Sequence, residues 1–173
     1  MEVDKKTPQF FFVPLGSAHD RAAFSCEEPR LENYIKTQAR QDAGKKVAAV
    51  FVMTVDGRAT AGFYTLSQYT IRSGEIPEEI ARRLTKHDQI PATLIGRLAR
   101  DTAYRKTGAG DLLLLNALQR CLALSGQAAS WAIVVEAKNE RGTAFYKKFG
   151  CEAFPRRPLK LFLPIATIEK MFA

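Results

Sequence analysis

The chain has 173 residues, of which 46% are apolar and 25% charged, with a formal charge of +8. That length suits a single compact domain spanning residues 1–173 with its own hydrophobic core. No stretch approaches the roughly 18 to 20 apolar residues of a membrane span, and MEVDKKTPQF lacks the apolar core of a secretory signal. A cytoplasmic protein without membrane association is therefore expected. The three cysteines, Cys26, Cys121 and Cys151, form no CxxC pair and stand far from His19 and His87. Neither a metal site nor a disulfide framework follows from that spacing. The positive charge suits an anionic partner such as a polyphosphate, though it also serves solubility alone.

Taken in chain order, the aromatic run at 10–15 reads as a strand and HDRAAF at 19–24 as a short turn of helix. Residues 29–43 place Leu31, Tyr34, Ile35 and Gln38 at helical spacing, with Gly44 as a stop. Two strands at 47–55 and 59–71 flank Asp56-Gly57, a hairpin signal. A short helix is expected at 78–84, then a strand at 92–100 with a bulge at Gly96. A long helix at 112–125 precedes WAIVV at 131–135, whose continuous apolar character fits a strand covered on both faces. A helix at 141–149 closed by Gly150 and one or two strands around 159–163 complete the chain. Strand, helix, strand, helix appended to an antiparallel hairpin predicts an α/β (α+β) fold: a mixed sheet of about six to seven strands, antiparallel in its N-terminal half, parallel at its centre, flanked by helices.

The segment YRKTGAG at 104–110 carries the most visible chemistry. Gly108 and Gly110 let the backbone approach an anion closely, and the first-turn amides of the following helix have no intrahelical acceptor. Arg105 and Lys106 add positive charge. Neither GxxxxGK[ST] nor GxGxxG is present, so the dinucleotide and P-loop patterns are excluded. In TAFYKKFG, Phe145 and Phe149 define a buried face. Tyr146, turned about 100° from Phe145, can lie at its edge with the hydroxyl in a cleft. A phenol is a suitable donor to a thiolate leaving group, and an amphipathic core tyrosine is the alternative. Asn139 is placed to cap that helix.

These residues resemble the GNAT acetyltransferases, whose acetyl-CoA loop is R/Q-x-x-G-x-G/A between a strand and a helix. Here Arg105, Gly108 and Gly110 fill it. The family's second element, F-Y-x-x-x-G-F, reads Phe145, Tyr146 and Gly150, with Cys151 where phenylalanine is usual. The resemblance implies acetyl-CoA as co-substrate. Its pyrophosphate would be held by Arg105 and by the backbone of Lys106, Thr107, Gly108, Ala109, Gly110 and Asp111. The pantetheine arm would lie along Leu98, Ala99 and Arg100, with Phe145 and Asn139 as further contacts and Tyr146 as the catalytic group.

The acceptor is narrowed by acidity. A lysine amine with a pKa of about 10.4 needs a general base, whereas an α-amine near 8 is appreciably free at neutral pH. The strand at 92–100 offers no carboxylate before Asp101, which favours an α-amine. The basic residues around this region, among them Arg97, Arg100, Lys147, Lys148, Arg156, Arg157 and Lys160, suit a phosphate backbone; solvated lysine and arginine faces are the bland alternative.

At HDRAAFSC, LENYIKTQARQD, AGFYTLS and IPATLIGRLARD the likeness extends over about residues 10–163. The chain there resembles the GNAT toxins of bacterial toxin-antitoxin pairs. Those toxins acetylate the α-amine of aminoacyl-tRNA, block translation, and are held by a ribbon-helix-helix antitoxin. The likeness implies a homodimer and plausible tRNA contacts at Arg97, Arg100, Lys147 and Lys148. Rival expectations are a GNAT enzyme acting on a protein N-terminus or small amine, and a non-catalytic RNA-binding relic.

Overall fold

The computed structural model describes residues 8–84 and 86–173. Residues 1–7, read above only for the absence of a secretory signal, lie outside them. Seven strands form one sheet: β1 (Phe11–Pro14), β2 (Ala49–Thr54), β3 (Gly62–Arg72), β4 (Gln89–Arg100), β5 (Ala132–Glu136), β6 (Glu152–Phe154) and β7 (Arg157–Pro164), in the order β1-β2-β3-β4-β5-β7-β6. The pairs β1–β2, β2–β3, β5–β7 and β6–β7 are antiparallel, and β4–β5 is parallel, in register from Ala92↔Ala132 to Ile95↔Val135. The expected mixed sheet is thus present. The helices are α1 (Pro29–Thr37), α2 (Ala39–Gly44), α3 (Glu78–Leu84), α4 (Ala109–Ser125), α5 (Glu140–Lys148) and α6 (Ile165–Met171). None of them is long and apolar enough to cross a membrane.

The described residues divide into two compact units, the first comprising residues 8–66 and 97–116, the second 67–84, 86–96 and 117–173. In the first, Phe24, Tyr34, Ile35, Ala39, Val50, Phe63 and Ala99 form the core. Phe24 meets Phe63 edge-on at 5.5 Å, and Tyr34 stacks on the same ring at 6.2 Å. In the second, Ile71, Ile76, Ile90, Ala92, Ala132, Val134, Phe154 and Phe162 pack together, with Trp131 against Phe162 at 5.7 Å.

Several elements differ from expectation for local reasons. Residues 19–24 form turns rather than helix, because the backbone of Asp20 is engaged elsewhere: its N–H donates to Arg58 (2.7 Å) and its carbonyl accepts from the Thr60 hydroxyl (2.8 Å). The helix expected over 29–43 is broken at Gln38 (φ −119°). Thr37 turns its hydroxyl onto the Asn33 carbonyl (2.8 Å), a back-bond that bends helices. The hairpin connection is longer than two residues: Asp56 accepts from the N–H groups of Arg58 and Ala59 (2.9 and 2.8 Å), Gly57 adopts φ +84°, and the strands close at Met53↔Gly62. Along β4 the buried positions change phase, from Ile90 and Ala92 to Ile95 and Ala99. The change falls between Ala92 and Ile95, ahead of Gly96, within the stretch that stays in unbroken register with β5.

Gly62 lies where three elements of the first unit converge. A Cβ there would stand 2.9 Å from the Met53 methyl, 3.0 Å from the Ala99 carbonyl oxygen and 3.2 Å from Leu113. The methyl can move; the strand carbonyl cannot without shifting β4. Gly62→Ala is expected to destabilise the protein by about 1–3 kcal/mol, the usual cost of overpacking, as measured by chemical denaturation. An unchanged midpoint would show that β4 yields freely.

Candidate active site

The loop after β4 is fixed by one side chain. Asp101 donates its N–H to the Ala61 carbonyl (2.8 Å), and its carboxylate accepts from Ala103 N–H (2.8 Å) and Ser25 N–H (3.0 Å). Thr102 N–H returns to the Ser25 carbonyl at 2.9 Å. These bonds end the strand and start a short 3-10 turn, Thr102–Tyr104. The Thr107 hydroxyl then donates to the Tyr104 carbonyl (2.6 Å) and accepts from Ala109 N–H (3.3 Å), closing the loop onto α4.

Two residues of this loop are left-handed, Lys106 at φ +58° and Gly108 at φ +80°. Glycine adopts that conformation freely, whereas a lysine there is strained by about 1–2 kcal/mol. A Cβ on Gly110 would meet nothing within 4 Å, so this first-turn glycine leaves space beside the helix start. α4 begins at Ala109, three residues earlier than expected, because Ala109 is itself fully buried and extends the helix into the loop. The arrangement is the start of a 17-residue helix beside a glycine-containing basic loop, which suits a bound phosphate.

The fit to a pyrophosphate is supported further by Arg100, whose Nε is buried with no hydrogen-bond partner, a donor that a ligand could satisfy. The Arg105 side chain is ion-paired with Glu27, a residue the sequence reading did not single out. Both are about half exposed, and such pairs are worth only about 0–1 kcal/mol, so exchanging Glu27 for phosphate costs little. Leu98 is half-buried and Ala99 buried within the first core. Arg97 is not splayed into solvent: its guanidinium lies over the Tyr34 ring at 3.7 Å, and the Tyr34 hydroxyl donates to Asp42 at 2.9 Å.

In the second unit, α5 is framed at both ends. The Asn139 side chain accepts from Gly142 N–H at 3.0 Å, the cap expected of it. At the other end Gly150 (φ +97°) donates to the Lys147 carbonyl and Cys151 to that of Tyr146, a Schellman closure. The faces are ordered differently from expectation. Phe145 and Phe149 are half-buried and Tyr146 is the buried residue of the helix, with Phe145 edge-on to it at 5.3 Å. A tyrosine at the rim of the apolar face was expected. Phe145 and Phe149 are in edge contact with each other at 5.5 Å, beside the exposed Lys148, whose ammonium lies 5.2 Å from the Phe149 ring.

Burial pushes the Tyr146 hydroxyl up to about 12, with Cys151 adding a smaller push. Burial likewise raises the Cys151 thiol to about 12, so this residue stays a neutral packing partner. Lys147 and Lys148 are exposed, whereas Lys160, grouped by sequence with the basic rim, is buried at 2% exposure. The signal for that was the position of Lys160 inside the apolar run LKLFL.

The sheet is mixed, with β4 and β5 a parallel pair, and β4 runs through a basic glycine loop into a helix. The chain belongs to the Acetyltransferase (GNAT) family, which matches residues 18–151. It is 35% identical over 161 residues to the probable toxin TacT of Sinorhizobium fredii, covering 88% of this chain and 89% of that one. It is 32% identical over 149 residues to the tRNA-acetylating toxin of Mycobacterium tuberculosis, covering 86% and 88%. Among solved structures, AtaT complexed with acetyl-methionyl-tRNAfMet superposes with a TM-score of 0.88 at 24% identity, over 95% of this chain and all (100%) of that one.

With its folded pKa above the unfolded value, the Tyr146 phenol opposes ionisation in the native state, so stability falls as pH rises above about 10. Alkaline spectrophotometric titration of the wild type against Tyr146→Phe is expected to show no phenolate difference near pH 10, where an ordinary tyrosine is half ionised. A difference already present there would mean that Tyr146 is hydrated.

Proposed function

We propose that this protein transfers the acetyl group of acetyl-CoA to the α-amine of aminoacyl-tRNA and so acts as a translation-blocking toxin. The observation that carries this reading is the likeness, over nearly nine-tenths of the chain, to a relative named as a tRNA-acetylating toxin. The absence of a carboxylate on β4 before Asp101 supports an α-amine acceptor, which needs no strong base.

When bound, acetyl-CoA supplies a thioester-activated acetyl group. Arg105 and the backbone amides of residues 106–111 hold its pyrophosphate, Arg100 offers its buried Nε, and the edge of β4 at Leu98 and Ala99 takes the pantetheine arm. Phe145 packs beside Tyr146, and Asn139 acts as the cap of α5 with a CoA contact as its further role. Amine attack must deliver a proton to the departing sulfur. A phenol at about 12 facing a thiol of ordinary pKa near 8.5 cannot surrender its proton outright. Tyr146 therefore relays: its hydroxyl donates to the sulfur while its oxygen accepts the proton leaving the attacking nitrogen. Arg97, Arg100, Lys147 and Lys148 contact the RNA backbone, with Arg97 held in orientation by Tyr34. A homodimer and a ribbon-helix-helix antitoxin complete the assembly.

Incubation with labelled acetyl-CoA and total aminoacyl-tRNA is expected to place label in RNA, released on deacylation. Tyr146→Phe should lose about 100-fold or more in turnover while still binding acetyl-CoA. Normal turnover in that variant would remove the tyrosine from the chemistry. Label entering only peptides or small amines would favour an ordinary GNAT enzyme, and failure to bind acetyl-CoA would favour a non-catalytic RNA-binding protein.

A further inference from the structure

The second unit holds a cavity of about 400 Å³ lined by Glu136, Arg156, Arg157, Pro158, Leu159 and Lys160, among others. None of these residues has a part in the acetyl-transfer chemistry described above. Arg157 is paired with Glu136 and Lys160 with Glu75, so Arg156 is the cation in the wall that draws an anion. The cavity is of a size that takes a small organic ligand rather than a bare ion.

Its floor is built rather than incidental. The Lys160 side chain is 3% exposed and donates to the Tyr69 hydroxyl and, at 3.1 Å, to Glu75. Glu75 is itself held by Arg72 N–H at 2.7 Å. The rings of Tyr69 and Phe154 lie 4.7 and 4.8 Å from the ammonium. Burial opposes the charge on Lys160, but its hydrogen bonds to Tyr69 and Glu75 outweigh that and hold the pKa above the ordinary value. The buried ammonium thus anchors β7 from beneath, and the chain segment above it is held in place.

At the rim, Arg157 is bound to Glu136 at 3.1 Å. A carboxylate engages a guanidinium at its N–H edge, which fixes the plane and leaves stacking as the use of its face. Pro158 and the 40% exposed Leu159 add apolar surface beside it. Charge, a fixed planar cation and an apolar wall in one cavity match a nucleotide, with its phosphate, ribose and flat base.

We infer that this cavity binds a single nucleotide of a single-stranded RNA end, its phosphodiester on Arg156 and its base against Arg157 and Leu159. This rests on the reading that the acceptor is an aminoacyl-tRNA, whose terminal nucleotides would occupy the cavity. An acidic peptide would use the same charges but not the stacking face.

The test uses the full chain with the dinucleotide cytidylyl-adenosine as probe, followed by backbone amide NMR shifts and by calorimetry. Shifts are expected at residues 136–137 and 156–160. Arg156→Ala should weaken the probe about tenfold and raise the KM for aminoacyl-tRNA while acetyl-CoA affinity is unchanged, the loss expected for one charge-assisted hydrogen bond. Unshifted residues 156–160, or full probe affinity in Arg156→Ala, would overturn the inference, as would an aspartate-rich peptide binding there in place of the dinucleotide. Because the probe carries no amino acid, its binding is independent of acetylation. Failure to label aminoacyl-tRNA would sink the proposed substrate, whereas labelling with an indifferent Arg156→Ala would sink only the cavity.

Discussion

Much of the first unit depends on where β4 is made to stop. The Asp101 carboxylate accepts two backbone N–H groups, one from its own turn and one from Ser25, while its N–H is tied to Ala61. Without that clamp the chain has no local reason to leave the strand at Arg100, and α4 would lose its fixed starting point. The orientation of the first-turn amides, on which any phosphate site here depends, follows from this one residue and its three partners. The close approach of Gly62 to the Ala99 carbonyl fixes the other coordinate, the depth of the strand beneath the helix.

The order of elements was legible because period and punctuation agree in most of them. The β2 and β3 strands, the continuous apolar β5, and α5 between Asn139 and Gly150 each carry a local signal that tertiary contacts reinforce. Where sequence reasoning went astray, a distant partner decided the outcome. Residues 19–24 have helical composition, yet hydrogen bonds to Arg58 and Thr60 hold the segment in turns. The break at Gln38 depends on a threonine back-bond that periodicity does not register. α6, only seven residues long and following Pro164, carries too little periodic pattern to declare itself. At the site, the glycine loop and the cap at Asn139 could be read directly. The burial of Tyr146 could not, because which aromatic of three is most shielded depends on what packs over the helix.

The basic residues divide into classes that composition alone cannot separate. Lys147 is solvated, Lys148 lies over the Phe145 and Phe149 rings, Arg97 is stacked on an aromatic ring, Arg105 is balanced by Glu27, and Lys160 is buried and doubly hydrogen-bonded. A formal charge of +8 therefore overstates the number of side chains that present an open charge to a partner. What governs recognition is how each cation is held, since an oriented guanidinium offers direction and a face while a solvated ammonium offers only attraction.

The left-handed Lys106 leads to one further consequence. A glycine would hold φ +58° without strain, so the lysine carries a small standing strain in the loop. A ligand that binds this folded loop and not the unfolded chain would stabilise the native form by mass action and offset that strain. The amount of folded protein would then follow the supply of acetyl donor. An enzyme of this kind would be more durable in a cell rich in acetyl-CoA than in a starved one, coupling its lifetime to metabolic state without a separate regulator.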